Sequence, residues 1–305
     1  MLKKISIFIV AFILSINFVS ADTLDCNKTL KRGSRGENVR ILQEKLNQYM
    51  SCSLEEDGIF GSKTYACAVK FQDQYGLTTD GIVGKNTCSK LNSDLNIIKE
   101  EKIDIVDGNY LIALYNNSNI YISPNDTSEV IDKTSFGTIY HYEDVVVENG
   151  IKWFHIYFNN NSNEGYIKKE KVSRNFIVVD ISEQRLIYFK NKKVILDTNV
   201  VTGMKNKHDT PVGHYTLRYA NKVAGKTLRG KNDNGTSYAS YVDYWMPFIT
   251  DRGIGFHDAT WRSESEFNDS TYIYDGSHGC VNMIPGQAQK LYKSIKRDTD
   301  VIIKK

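Results

Sequence analysis

The eleven-residue string Leu54-Glu55-Glu56-Asp57-Gly58-Ile59-Phe60-Gly61-Ser62-Lys63-Thr64 returns 23 residues later as Leu77-Thr78-Thr79-Asp80-Gly81-Ile82-Val83-Gly84-Lys85-Asn86-Thr87. Each copy reads as a tight Asp-Gly turn, an apolar pair, a glycine and a helix start. A first helix is expected before them. Ser34 and Glu37 have capping-box spacing, and Val39, Leu42, Leu46 and Tyr49 recur at helical intervals. A second helix should run from about Ser62 to Tyr75 and stop at Gly76. A third should cover roughly Asn86 to Leu95. The segment about 28–95 is therefore expected to be a small all-α, three-helix module.

What precedes it reads as export machinery. Lys3 and Lys4 form a basic start, Ile5 to Phe18 is almost wholly apolar, and Val19-Ser20-Ala21 sets small residues for a cut after Ala21. That is the pattern of a secretory signal peptide over 1–21. The apolar run is short for a membrane span, so the product is expected outside the membrane, secreted and wall-associated. Apolar residues at 41% and charged residues at 25% of 305 exclude wholesale disorder, collagen and a polytopic membrane protein. A net charge of +3 gives no case for nucleic-acid binding.

Export changes how the cysteines read. Cys26, Cys52, Cys67 and Cys88 cluster, and Cys280 stands alone. In an oxidising compartment the four suggest two disulfides and the fifth a free, reactive thiol. Cys26 and Cys88 flank the module, so they are expected to pair, leaving Cys52 with Cys67; the sequence alone allows three connectivities. No C-x-x-C or H-x-x-x-H spacing occurs, so no metal site and no cofactor are expected.

The segment 28–95 resembles the three-helix peptidoglycan-binding domain of exported wall enzymes. The resemblance rests on Leu30-Lys31-Arg32-Gly33, Val39, Leu42-Gln43, the two Asp-Gly-Ile repeats and Phe71-Gln72. It implies affinity for peptidoglycan. From about 103 to 173 short strand signals follow: Leu111–Leu114, Asn119–Ile122, Asp144–Val147 and Trp153–Phe158, with Asn149-Gly150 as a hairpin turn. Trp153-Phe154-His155-Ile156 and Gly165-Tyr166-Ile167 resemble the end of a bacterial SH3-like module; a β spacer is the other reading. His141 and His155 show no obvious partners.

From Phe176 the strand signals continue at 176–181, 185–190, 194–202 and 214–219, with one helix after Pro285 and a closing strand at Val301–Ile303. A mostly antiparallel β domain with one or two packed helices is expected over 175–305. This segment is mildly basic. The string Ser277-His278-Gly279-Cys280-Val281-Asn282 carries the chemistry. A thiol attacks as thiolate, and a nearby imidazole takes its proton. Glycine before the cysteine lets substrate come close to the backbone, whose N–H groups could face an oxyanion.

Residues 175–305 resemble the L,D-transpeptidase catalytic domain family. The matching residues are Val201-Thr202-Gly203, Thr210-Pro211-Val212-Gly213, Trp245-Met246-Pro247-Phe248, His257, Trp261 and the Ser277–Asn282 string. Two departures stand out: 19 residues separate His257 from Ser277, slightly more than usual, and Asp258 replaces the common glycine or serine. The resemblance implies Cys280 as nucleophile and His257 as base, oriented by the Asp258 carbonyl. His278 would line the site, the Gly279 and Cys280 amides would form an oxyanion hole, and Ser277 would fix the turn. Trp261, Asn282 and Tyr244 would meet substrate. The Thr210–Gly213 turn would be structural, and residues 221–244, rich in Gly, Asn, Lys and Tyr, a flexible lid. His208 and His214 would be incidental. The implied activity is 3→3 cross-linking of peptidoglycan: a tetrapeptide stem donor loses D-Ala to a Cys280 thioester, which a stem amine resolves. A carbapenem would be the implied inhibitor. An L,D-carboxypeptidase, or a catalytically silent wall-binding protein, would be the rivals.

Overall fold

The computed structural model describes residues 23–50, 52–93, 105–159 and 161–305. The expected signal peptide lies outside them, as do Asp94 and Leu95 at the end of the expected third helix. The chain divides into two compact units at Ile97. Among the described residues no helix is long and apolar enough to cross a membrane.

The first unit is three helices: α1 Glu37–Met50, α2 Ser62–Gln74 and α3 Lys85–Leu91. Val39, Leu42, Leu46, Phe60, Phe71, Val83 and Leu91 pack into one core. The repeat is duplicated down to its hydrogen bonds. Buried Gln43 on α1 donates its amide to Asp57 Oδ1 (2.8 Å), Ile59 O and Thr64 Oγ1, while its oxygen accepts from Gly58 N. Buried Gln72 on α2 does the same for Asp80, Ile82, Thr87 and Gly81. Each carboxamide satisfies a turn backbone that would otherwise be buried without partners. Cys26–Cys88 and Cys52–Cys67 are the disulfides. The capping box does not form. Ser34 Oγ accepts instead from Lys31 N, and the Glu37 carboxylate takes Arg40, because Gly36, at φ +106°, turns the chain just before α1.

The second unit holds two sheets. One contains β1 Tyr110–Ala113, β2 Asn119–Tyr121, β3 Val130–Lys133, β4 Ile139–Glu148, β5 Ile151–Phe158, β6 Asn163–Lys168 and β7 Val172–Ser173. Its order is β3-β2-β6-β5-β4-β1-β7, and its pairs are antiparallel. Asn149 and Gly150, both at positive φ, make the β4–β5 turn. The other contains β8 Phe176–Asp180, β9 Arg185–Lys190, β10 Lys193–Val201, β11 Gly213–Leu217, β12 Val223–Lys231, β13 Ser237–Ile249, β14 Ile254–Asp258, β15 Val281–Met283 and β16 Thr299–Lys304. Its order is β11-β16-β8-β9-β10-β15-β14-β13-β12. The pairs β14–β15 and β16–β8 are parallel. A parallel neighbour needs a crossover, and residues 259–280, with α4 Thr271–Asp275, supply it between β14 and β15. Helix α5, Pro285–Ser294, buries Ala288 and Leu291. The two sheets share an apolar cluster in which Ile112 and Leu114 meet Phe176, Val178, Phe189 and Ile302.

Residues 221–244, expected as a flexible lid, have regular structure. They form a two-stranded ribbon, β12 against β13, in unbroken register from Val223↔Trp245 to Lys231↔Ser237. Cross-strand pairing satisfies the backbone without a buried apolar face, so the sequence shows no strand alternation there.

Candidate active site

Cys280 sits just before β15, in the turn that ends the crossover. Gly279 adopts φ +110°, a conformation that a side chain would strain, and a Cβ there would meet Ile254 at 3.3 Å. The Ser277 hydroxyl closes the turn, accepting from Gly279 N at 3.1 Å and donating to Cys280 O at 2.5 Å. The Ser277 backbone bonds Thr202 O and Met204 N. Buried Thr210 locks the same turn from outside, its hydroxyl accepting from Gly203 N and donating to Gly279 O, each at 2.9 Å. Gly203 must be glycine for this approach, since a Cβ would lie 1.8 Å from the His208 carbonyl.

The parallel β14–β15 pairing sets His257 opposite Asn282. His257 is 3% exposed, and its Nδ1 lies 2.8 Å from the Asp258 carbonyl. A carbonyl only accepts, so Nδ1 carries the proton and Nε2 is left as the basic nitrogen. The Trp245 and Trp261 rings lie 6.0 and 5.8 Å from the imidazole. Burial holds the His257 pKa below its ordinary value, outweighing the Asp258 hydrogen bond. Burial likewise pushes the Cys280 thiol up to about 11, against a hydrogen bond from the Gly255 amide. The thiol donates toward Gly253 O at 3.6 Å. Both shifts favour the neutral thiol and the neutral imidazole over an imidazolium–thiolate pair.

A cavity of about 260 Å³ gathers these groups, walled by His257, Trp261, Ser277, His278, Cys280 and Asn282. Among the described residues, none pairs with the buried Asn282 Oδ1. His278 is exposed, its ring stacked on Tyr238 at 5.1 Å and beside His208 at 4.7 Å. The ribbon adds Leu228, Asn232, Tyr238 and Ser240.

Two expectations change in detail, and one departure from the family gains a reason. The Gly279 amide, expected to face an oxyanion, is engaged by Ser277 Oγ, because that hydroxyl closes the turn on the same side. Tyr244, expected to meet substrate, does not wall the cavity: its ring packs on Tyr292 of α5 at 5.2 Å, and its hydroxyl accepts from Gln289 at 2.6 Å. The Asp258 side chain, odd beside its resembling family, has a structural task. Its carboxylate accepts from the Asp243 and Tyr244 amides at 3.1 and 2.8 Å, anchoring β13. Tyr238 was missing from the expected site, and Thr210, expected in a structural turn, ties that turn to Gly203 and Gly279. Tyr238 pairs with Gly230, whose missing side chain leaves room for the ring. Burial, then the Cys280 charge, raise its phenol pKa. A tyrosine two residues after Thr236 in a polar hairpin carries no sequence signal for this.

The fold and cavity define a thiol-and-imidazole site on two neighbouring interior strands, β14 and β15, of a mixed sheet. Residues 174–303 belong to the L,D-transpeptidase catalytic domain family, and residues 35–91 match the peptidoglycan binding domain family. A stretch of 65 residues is 45% identical to the zinc D-Ala-D-Ala carboxypeptidase of Streptomyces albus G, covering 21% of this chain and 26% of that protein. Another of 73 residues is 36% identical to the spore cortex-lytic enzyme of Bacillus subtilis, covering 23% and 24%. Among solved structures, the catalytic domain of the E. faecium L,D-transpeptidase is 36% identical, covering 42% of this chain and 95% of that one, with a TM-score of 0.37. The chain spans about a quarter of the length of the curated relatives it matches.

Proposed function

We infer that this chain is an exported cysteine acyltransferase that forms 3→3 cross-links between peptidoglycan stems. The observation that carries the reading is the shared cavity: a free thiol and a buried, singly protonated imidazole wall the same space. Cys280 Sγ attacks the carbonyl of the third stem residue as His257 Nε2 accepts the thiol proton. With the thiol raised and the imidazole lowered, proton transfer ahead of attack is uphill. The proton therefore moves as the C–S bond forms. The Cys280 amide faces the oxyanion, and the Gly279 amide joins once Ser277 lets go. The C–N bond then breaks, His257 returns its proton to the leaving D-Ala amine, and the thioester remains. A stem amine attacks it, giving the cross-link and the free thiol. The module at 28–95 holds the enzyme on the wall.

A strained cyclic amide tests the site. A carbapenem in excess should add once to the intact protein, with the adduct on the peptide containing Cys280. His257→Ala should slow this step at least about tenfold more than His278→Ala, since only the former removes the base. No adduct on folded protein contradicts a competent thiol. Equal slowing in both variants removes His257 from the role.

A further inference from the structure

The sequence spacing shows no metal motif, yet the fold gathers three residues far apart in the chain. The side-chain ligand atoms of His208, Asp233 and His278 all lie within 4.8 Å of one another. His208 Nε2 is 2.7 Å from Asp233 Oδ1. The two histidines stand on segments already tied together: Gly203 bridges Ser277, and Met204 N donates to Ser277 O at 2.9 Å. Asp233 comes from elsewhere, the turn at the tip of the β12–β13 ribbon, whose residues Asn232 and Tyr238 wall the Cys280 cavity. Two ligands thus sit on a fixed frame and the third on the ribbon above the thiol.

We propose that His208, Asp233 and His278 bind one zinc-class divalent cation, which staples the ribbon tip to the Cys280 turn and closes the cavity reversibly. Two imidazoles and one carboxylate are a borderline donor set suited to zinc and poorly suited to magnesium. Tetrahedral zinc holds its ligand atoms roughly 3.3 Å apart. Binding therefore loosens the 2.7 Å pair slightly and draws the most distant ligand inward. Asp233 and His278 are exposed, so neither must leave a packed core to adjust. Stacking on Tyr238 already limits the His278 ring. Lys207 Nζ, 3.0 Å from the other Asp233 oxygen, is the competing cation. Its side chain is 59% exposed, and it swings into solvent when the metal takes its place. A closed ribbon shields the thiol without any bond between metal and sulfur.

The test uses the full chain without its signal segment and needs no substrate. Zinc binding is read by competition with a chromophoric chelator, and thiol access by the rate of Cys280 alkylation with iodoacetamide. Wild type should bind one zinc, with magnesium failing to compete, and zinc should slow alkylation at least about tenfold. Cys280→Ala should bind zinc as tightly as wild type. His208→Ala and Asp233→Asn should each weaken binding at least about tenfold and keep the alkylation rate of the zinc-free protein. Loss of zinc in Cys280→Ala with retention in both other variants would make the thiol the ligand and overturn the proposal. So would the absence of any binding to folded wild type. Because neither readout involves turnover, the site stands or falls apart from the acyltransferase reading.

Discussion

The proposed chemistry rests on two side chains whose shifts favour their neutral forms. Cys280 is pushed up to about 11 and His257 is held down, both chiefly by burial. A raised thiol pKa means less thiolate at neutral pH. The folded protein should therefore alkylate at Cys280 about a hundredfold more slowly at pH 7.5 than an unperturbed thiol. The rate should climb about tenfold per pH unit through pH 9, without levelling. A plateau below pH 8 would mean an ion pair at rest and would contradict the neutral-pair account. Thr210 matters as a positioning residue, since its hydroxyl joins Gly203 to Gly279. Thr210→Val leaves both groups unpaired in the interior and should cost about 1–3 kcal/mol of stability. It should also lower the acylation rate, and Thr210→Ser should restore both. Wild-type acylation in Thr210→Val, measured below its melting temperature, would reduce Thr210 to packing. Cys280 stood out in sequence through local signals, a lone cysteine in a chain read as exported and the His278-Gly279-Cys280 string, whereas His257 was named only through the family resemblance. The contacts of Thr210, Tyr238 and the Asp258 carboxylate were not legible. Their partners are 69, 42 and 14 residues away for Gly279, Cys280 and Tyr244, and no periodicity marks such contacts.

At the scale of elements, the helices α1 and α2 and the strands β5, β8 and β9 follow their apolar spacing closely. Strands with no buried face do not. Strand β3 is exposed along its whole length, and β12 nearly so, so neither alternates. The ribbon was thus read as a flexible lid although β12 pairs with β13 from Val223 to Lys231. The three-helix unit also shows why its cysteines cluster. Its core is small, and small cores lean on cross-links. The bonds close separations of 62 and 15 residues, each contributing about 2–4 kcal/mol in chain-entropy terms. Reduction should lower the melting temperature of the first unit and leave the second unchanged, since Cys280 is the free cysteine there. Thiol counting on denatured, unreduced protein should find one thiol; five would overturn both disulfides.

At the scale of the whole molecule, the two family matches fall in separate compact units, the peptidoglycan binding domain in the first and the catalytic domain in the second. The β1–β7 sheet is not a detached spacer in this arrangement. Ile112 and Leu114 share a core with Phe176, Phe189 and Ile302. The sequence read that segment's strands but not this contact, because the residues involved look like ordinary strand interior on both sides. The central claim is that the second unit transfers the acyl group of a stem peptide through Cys280. Purified disaccharide-tetrapeptide, incubated with residues 22–305 and read by mass spectrometry, tests it most directly. The account predicts a cross-linked dimer formed with loss of one D-Ala, absent with folded Cys280→Ala. Unchanged substrate, or a dimer still made by Cys280→Ala, would contradict it.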